Sequence, residues 1–247
     1  MQVSRLLFAL MFFAASSFAD QSQLDKHAVC PASSEKTYRV LFIGDSITRH
    51  AVNEATIKEL GWTHVSGMGA SSSKTDYASL LTKLISQDRK QWVVKCFHTY
   101  GGGGSVPDRI SGLPMVADTN PNLVVIQLGE HDNATIDPLT FHRQYATLIR
   151  SVRAMKSKPK VIAVGPWSLA GLNDKGEYAD ESADVDRVMY NVAIEESLQY
   201  LSVKDFASLP EASGWGKSEG VKWHPNDVGH RLYAERLFRL YKAVEKQ

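Results

Sequence analysis

Four runs of this chain, residues 39–44, 92–98, 123–128 and 160–165, are rich in Val, Ile and Leu and lack polar alternation. A strand with one wet face alternates apolar and polar residues, whereas a strand covered on both faces has no need to. These runs therefore predict strands at the centre of a sheet with helices on either side. Residues 201–204 form a shorter, fifth candidate.

Amphipathic patterns separate the apolar runs. Phe141, Tyr145, Leu148, Val152 and Met155 recur at alternating steps of four and three, which places them on one helix face. Pro138 suits the first turn of that helix. Further helices are expected over about 77–85, over about 184–200, and from Asn226 towards the C-terminus, with Asn226 or Asp227 as N-cap. A shorter helix is expected after Ser46. Strand and helix in regular succession imply a three-layer α/β fold with a mostly parallel sheet. Such sheets bind ligands beyond the carboxyl ends of their strands, where the strand order reverses.

The two ends of the chain differ. After Arg5 comes an apolar and small-residue stretch, and Ser17-Phe18-Ala19 offers a cleavage site after Ala19. This is the layout of a secretory signal peptide over 1–19. A polar lead-in follows over 20–37, and 38–247 reads as one domain. The stretch is shorter than the roughly 20 residues of a spanning helix, and no later segment is long and apolar enough to cross a bilayer. Cleavage would remove one of the 28 basic residues and none of the 27 acidic ones, leaving a formal charge of zero. A neutral chain without a basic stripe argues against nucleic acid as a partner and against an electrostatic membrane anchor. Cys30 and Cys96 permit one internal disulfide in an exported chain, or stand as two separate thiols.

Four polar segments stand where the chemistry of such a fold belongs. Gly44-Asp45-Ser46-Ile47-Thr48 follows the first strand, where backbone N–H groups and a helix dipole would favour an oxyanion. The same residues also suit a plain helix cap. Gly101-Gly102-Gly103-Gly104-Ser105 follows the second strand and allows close backbone approach to a ligand. No Gly-Lys-Ser or Gly-Lys-Thr follows it, which argues against a phosphate loop. Gly129-Glu130-His131-Asp132-Asn133 follows the third strand, and His224-Pro225-Asn226-Asp227 opens the last helix.

In this order the four segments resemble the SGNH, or GDSL, hydrolase family, and the resemblance covers nearly the whole chain after residue 19. It implies a flavodoxin-like sheet, with Ser46 as nucleophile and His224 as general base. Oxyanion donors would be the N–H of Ser46, that of Gly104 (or Gly103), and a side chain from the third block. Two departures stand out. The third block usually reads Gly, any, Asn, Asp, and here His131 holds the Asn position, with Asn133 as the alternative donor. A neutral imidazole still donates one N–H. The Asp expected three residues before the histidine is Val221. Glu219 is the nearest upstream acid; failing it, a backbone carbonyl would hold the ring and leave a Ser–His dyad.

The segment from Gly61 to Ser72 carries Trp62 and Met68, which either line a cleft or pack within their own loop. Trp167, after the fourth strand, and Trp223, beside His224, are better placed to line a cleft and would suit a sugar ring. His27, His50, His64, His98, His142 and His230 form no short metal-ligand spacing, so no metal or cofactor is expected. The implied activity is that of an exported, periplasmic or extracellular serine esterase, acting through an acyl-enzyme on an O-acetylated glycan. The rivals are acyl transfer to a sugar, a non-catalytic glycan-binding module, a weakened enzyme, and a lipase or thioesterase.

Overall fold

The computed structural model describes residues 28–30, 37–98, 102–132 and 137–246. The expected signal peptide, most of the lead-in and Asn133 lie outside the described residues.

The sheet contains β1 (Ala28–Val29), β2 (Tyr38–Gly44), β3 (Val93–His98), β4 (Leu123–Gln127), β5 (Lys160–Val164) and β6 (Gln199–Leu201). Its order is β1-β3-β2-β4-β5-β6. Strands β3, β2, β4, β5 and β6 pair in parallel, and β1 adds an antiparallel edge along β3. Five parallel strands in this order have the flavodoxin-like arrangement. The chain leaves β2 for β3 on one side and returns to β4 on the other, so the order reverses across β2 and β4. A disulfide between Cys30 and Cys96 staples β1 to β3.

Successive residues of β2 feed two separate cores, as a strand's period of two requires. Val40 and Phe42 pack on one face with α1 (Tyr77–Arg89), and Leu41 and Ile43 pack on the other face with α2 (Val106–Gly112) and α3 (Pro138–Arg153). Helix α4 (Ser182–Glu195) joins the second core through Val185, Val188, Met189 and Val192. Two short helices, α5 (Lys204–Ala207) and α6 (Glu219–Trp223), precede α7 (Asp227–Val244), which closes the first core through Tyr233, Leu237 and Tyr241. The expected caps operate: Pro138 occupies the first turn of α3, and the Asn226 side chain accepts the N–H groups of Val228 and Gly229.

Three expected boundaries move. Helix α4 stops at Glu195, with Ser197 in the left-handed region at φ 55°. The last strand is therefore 199–201, not 201–204, because Gln199 and Leu201 pair with Ile162 and Val164 while Lys204 begins α5. The short helix expected after Ser46 begins several residues beyond it. Residues 45–48 make a single turn in which the Asp45 carbonyl accepts the N–H groups of Thr48 and Arg49, and the next helical segment is a short π-type turn, Thr56–Leu60. The helix dipole expected at Ser46 is thus absent, and any stabilisation of negative charge there falls to individual N–H groups.

Candidate active site

The β2 strand ends against its neighbours at a point that admits only glycine. A Cβ on Gly44 would lie 1.9 Å from Thr48 Oγ1 and 2.9 Å from the Gln127 carbonyl. The chain then turns sharply. Asp45 Oδ1 accepts the Ile47 N–H at 3.0 Å, and the Ser46 carbonyl accepts the Met68 N–H at 2.8 Å. Thr48 Oγ1 contacts Tyr77 Oη at 2.7 Å and Gln127 Oε1 at 3.0 Å. Each residue flanking Ser46 is therefore tied down, while its own hydroxyl faces His224.

His224 Nε2 lies 2.8 Å from Ser46 Oγ, and His224 Nδ1 lies 2.6 Å from the Gly220 carbonyl. A carbonyl only accepts, so Nδ1 carries the hydrogen and Nε2 presents its lone pair to the serine hydroxyl. The fold builds this contact from α6. The Ser218 side chain caps α6 by accepting the Val221 N–H, His224 ends it in extended geometry, and the Trp167 indole N–H donates to the Trp223 carbonyl at 2.8 Å. Burial lowers the His224 pKa to about 4, helped by the nearby His50, His230 and His131, while the Gly220 bond opposes the shift. The imidazole is consequently neutral over the pH range in which a base is needed.

Glu219 is not at the ring. Its side chain is 89% exposed and pairs with Lys222 at 2.7 Å. The first turn of α6 points that carboxylate to solvent, and the Gly220 carbonyl takes the orienting position. Val221 is buried against Trp62 and Met68, so the position where the family carries Asp is here part of a small apolar cluster. Trp62 also lies against the His64 ring, with centroids 4.3 Å apart, and is packed within its own loop instead of forming a cleft platform. Trp167 is only 1% exposed, which excludes it from the cleft wall and leaves it as a support for the histidine loop. Trp223 is half-buried, with its ring edge-on to His224 at 5.1 Å between centroids.

The glycine loop and the third block meet beside the Ser46 turn. Gly104 has φ 129°, a region costly for any other residue. A Cβ on Gly103 would lie 3.9 Å from the His131 ring. His131 is 46% exposed at its side chain, with Nε2 3.8 Å from Asp45 Oδ2. Asp132 accepts the Val106 N–H at 3.0 Å and so anchors the start of α2.

Beneath the turn lies a buried carboxyl pair that the linear reading did not assign. Glu130 Oε1 accepts from Gln127 Nε2 and from the Trp167 N–H, each at 2.7 Å. Its other oxygen and Asp45 Oδ2 are both buried without a donor, and each carboxyl bears on the other's proton affinity. Burial, and then the Asp45 charge, push the Glu130 pKa well above the carboxylate range, so one proton shared from Glu130 satisfies both oxygens. Gln127 and Gly220 were likewise not assigned, and no motif marks them. Among the described residues, no group of His, Cys, Asp and Glu is arranged to hold a metal. No helix among them is long and apolar enough to cross a membrane.

A family model described as GDSL-like lipase/acylhydrolase matches residues 42–232. The chain is 29% identical over 216 residues to the cellulase/esterase CelE of Acetivibrio thermocellus, covering 81% of this chain and 25% of CelE. It thus spans about a quarter of that curated relative. Among solved structures, Axe2, an acetylxylan esterase from Geobacillus stearothermophilus, aligns with a TM-score of 0.58 at 19% identity, covering 82% of this chain and 93% of Axe2. TesA aligns with a TM-score of 0.57 at 22% identity, covering 83% of this chain and 98% of TesA. At these identities the two structures speak for the fold.

Proposed function

This chain belongs to the GDSL-like lipase/acylhydrolase family, and from that premise we propose that it is a hydrolase of ester bonds, an exported carbohydrate O-acetylesterase working through an acyl-enzyme on a Ser46–His224 dyad. The observation that carries this reading is the 2.8 Å contact between Ser46 Oγ and His224 Nε2, with Nδ1 committed to the Gly220 carbonyl. That arrangement gives the imidazole the tautomer a general base needs.

In this mechanism His224 takes the serine proton as Oγ attacks the ester carbonyl. The carbonyl π electrons move to oxygen, and the N–H groups of Ser46 and Gly104, with the His131 ring at the rim, receive the oxyanion. The imidazolium returns its proton to the departing sugar oxygen as the C–O bond breaks. Water, deprotonated by the same ring, then attacks the acyl-enzyme and releases acetate and the free serine. Glycan as the acyl carrier is supported by the names of the relatives, a cellulase/esterase and an acetylxylan esterase. The half-buried Trp223 beside the base supplies an aromatic edge for a sugar ring. Export is supported by the leader pattern over 1–19 and by the Cys30–Cys96 disulfide, which suits an oxidising compartment.

The test is acetate release from acetylated xylan and from p-nitrophenyl acetate by the wild type and Ser46→Ala. The substitution is expected to abolish both activities, and a Ser46→Ala protein that retains wild-type turnover would refute the assignment. Release from the small ester without release from the polysaccharide would leave the esterase and remove the glycan.

A further inference from the structure

Arg109 is fully buried, and a buried guanidinium needs a reason. Its Nε donates to the Gly44 carbonyl at 2.7 Å, and its Nη2 donates to the Gly103 carbonyl at 2.6 Å. Gly44 closes the strand that leads to Ser46, and Gly103 precedes the glycine expected to supply an oxyanion donor. One side chain therefore ties the nucleophile's strand to the donor loop.

The geometry of the peptide unit gives this clamp a direction. In a planar trans peptide, the C=O and the following N–H point opposite ways. The Gly103 carbonyl points at the guanidinium, so the Gly104 N–H points away from it. The other side of the loop faces histidines. A Cβ on Gly102 would lie 2.6 Å from His50 Nε2, and one on Gly103 would lie 3.9 Å from His131. Both rings are close enough to His224 to act on its charge. At Gly104 a Cβ would stand 2.4 Å from the guanidinium nitrogens, so a larger residue there would displace the cation.

The backbone that carries Arg109 is itself fixed. The Arg109 carbonyl contacts His98 Nε2 at 2.8 Å, and the start of α2 is fixed by the Ser105–Asp108 capping box and by Asp132. A lysine offers one point charge in place of a planar fork and cannot span both carbonyls in the same geometry.

We infer that Arg109 is a positioning residue of this reaction: its guanidinium clamps Gly44 to Gly103 and so aims the Gly104 N–H at the oxyanion formed when Ser46 attacks. The cation also sits behind the peptide that receives the negative charge, where fixed charge in a dry site is most effective. This inference rests on the Ser46 and Gly104 roles proposed above.

The experiment compares Arg109→Lys with the wild type on p-nitrophenyl acetate and measures the affinity of each for phenylboronic acid, which forms a tetrahedral adduct on an active serine. The expected result is a kcat lower by about 10²-fold, the loss typical of one oxyanion donor. KM should change little, and boronate affinity should fall in parallel with kcat. A folded variant with wild-type kcat and wild-type boronate affinity would overturn the inference. If that variant does not fold, the ¹⁵N-labelled wild type decides: the Arg109 side-chain resonances should shift on boronate binding, and unmoved resonances would overturn it. An inactive Ser46→Ala beside a fully active Arg109→Lys would sink this inference alone, whereas an active Ser46→Ala would sink the esterase mechanism beneath it.

Discussion

His224 Nδ1 rests 2.6 Å from the Gly220 carbonyl, four residues back along the same chain. The ring and its orienting group thus travel together on α6, held by the Ser218 cap and the Trp167–Trp223 bond. A carbonyl fixes the tautomer as an aspartate would, but it brings a dipole where an aspartate brings a full charge. Stabilisation of the transient imidazolium is correspondingly weaker.

The nearest acid should therefore be dispensable. Glu219→Gln is expected to leave kcat/KM for p-nitrophenyl acetate within about twofold of wild type, because surface changes away from the site have small effects. Installing the family's acid should fail for a different reason. Val221 is buried against Trp62 and Met68, so Val221→Asp would desolvate a charge in an apolar cluster. The expected loss is a few kcal/mol in urea denaturation, without a gain in kcat.

The pH dependence follows from the buried base. The His224 pKa is lowered to about 4, so kcat/KM should rise with pH through about 4 and lie flat from pH 6 to 8. Stability carries the same signature. The folded pKa lies below the unfolded value, so the unfolded chain binds the proton more readily between them. Stability attributable to this group is full above about 6.5 and is lost as pH falls towards 4, a change on the order of 3 kcal/mol. His224→Gln should flatten that acid limb in denaturation experiments, and an unchanged slope would contradict the assignment.

What could be read from the chain was what a linear pattern encodes. Val40 to Ile43 and Leu123 to Ile126 announce strands buried on both faces, and strand ends announce where polar blocks matter. Ser46 and His224 stand in such blocks and meet in space across 178 positions of sequence. Gly220 was illegible because a carbonyl is present at every residue, and only the fold of α6 decides which one faces a ring. Arg109, inside α2, and Gln127, inside β4, carry no spacing signal; their roles come from tertiary approach to Gly103 and Glu130. Glu219 and Trp167 were drawn into the site by proximity in sequence, yet one faces solvent and the other faces the core.

The carboxyl pair beneath the Ser46 turn makes an alkaline prediction. The Glu130 pKa is raised, so its contribution to stability is full at acid pH and declines as pH rises through the folded value. Two buried charges would then face each other without a proton between them. Glu130→Gln replaces the shared proton with a permanent N–H donor. It is expected to keep most of kcat and to flatten the loss of stability as pH rises. Glu130→Ala leaves Asp45 Oδ2, the Gln127 amide and the Trp167 N–H without this partner, and should cost about 2 to 4 kcal/mol. Urea titrations across pH for the three proteins decide it, and an equal slope in the wild type and Glu130→Gln would exclude the shared proton.

The Cys30–Cys96 bridge acts at the opposite level, on the unfolded chain. It joins positions 66 residues apart, and closing a loop of that size restricts the denatured ensemble by about 4 kcal/mol. The bridged segment is a two-residue edge strand paired with β3. Cys96 lies in β3, which runs directly towards the glycine loop, but the remainder of β3 is held by parallel pairing with β2. Reduction should therefore release β1 and lower the denaturation midpoint strongly, while leaving the Ser46–His224 contact intact. Cys30→Ser, which spares the buried Cys96, should reproduce the reduced protein: kcat for p-nitrophenyl acetate at 25 °C near wild type, and a Tm lower by several degrees. A variant that loses activity while its Tm is unchanged would show that the bridge shapes the donor loop instead of restraining the unfolded chain.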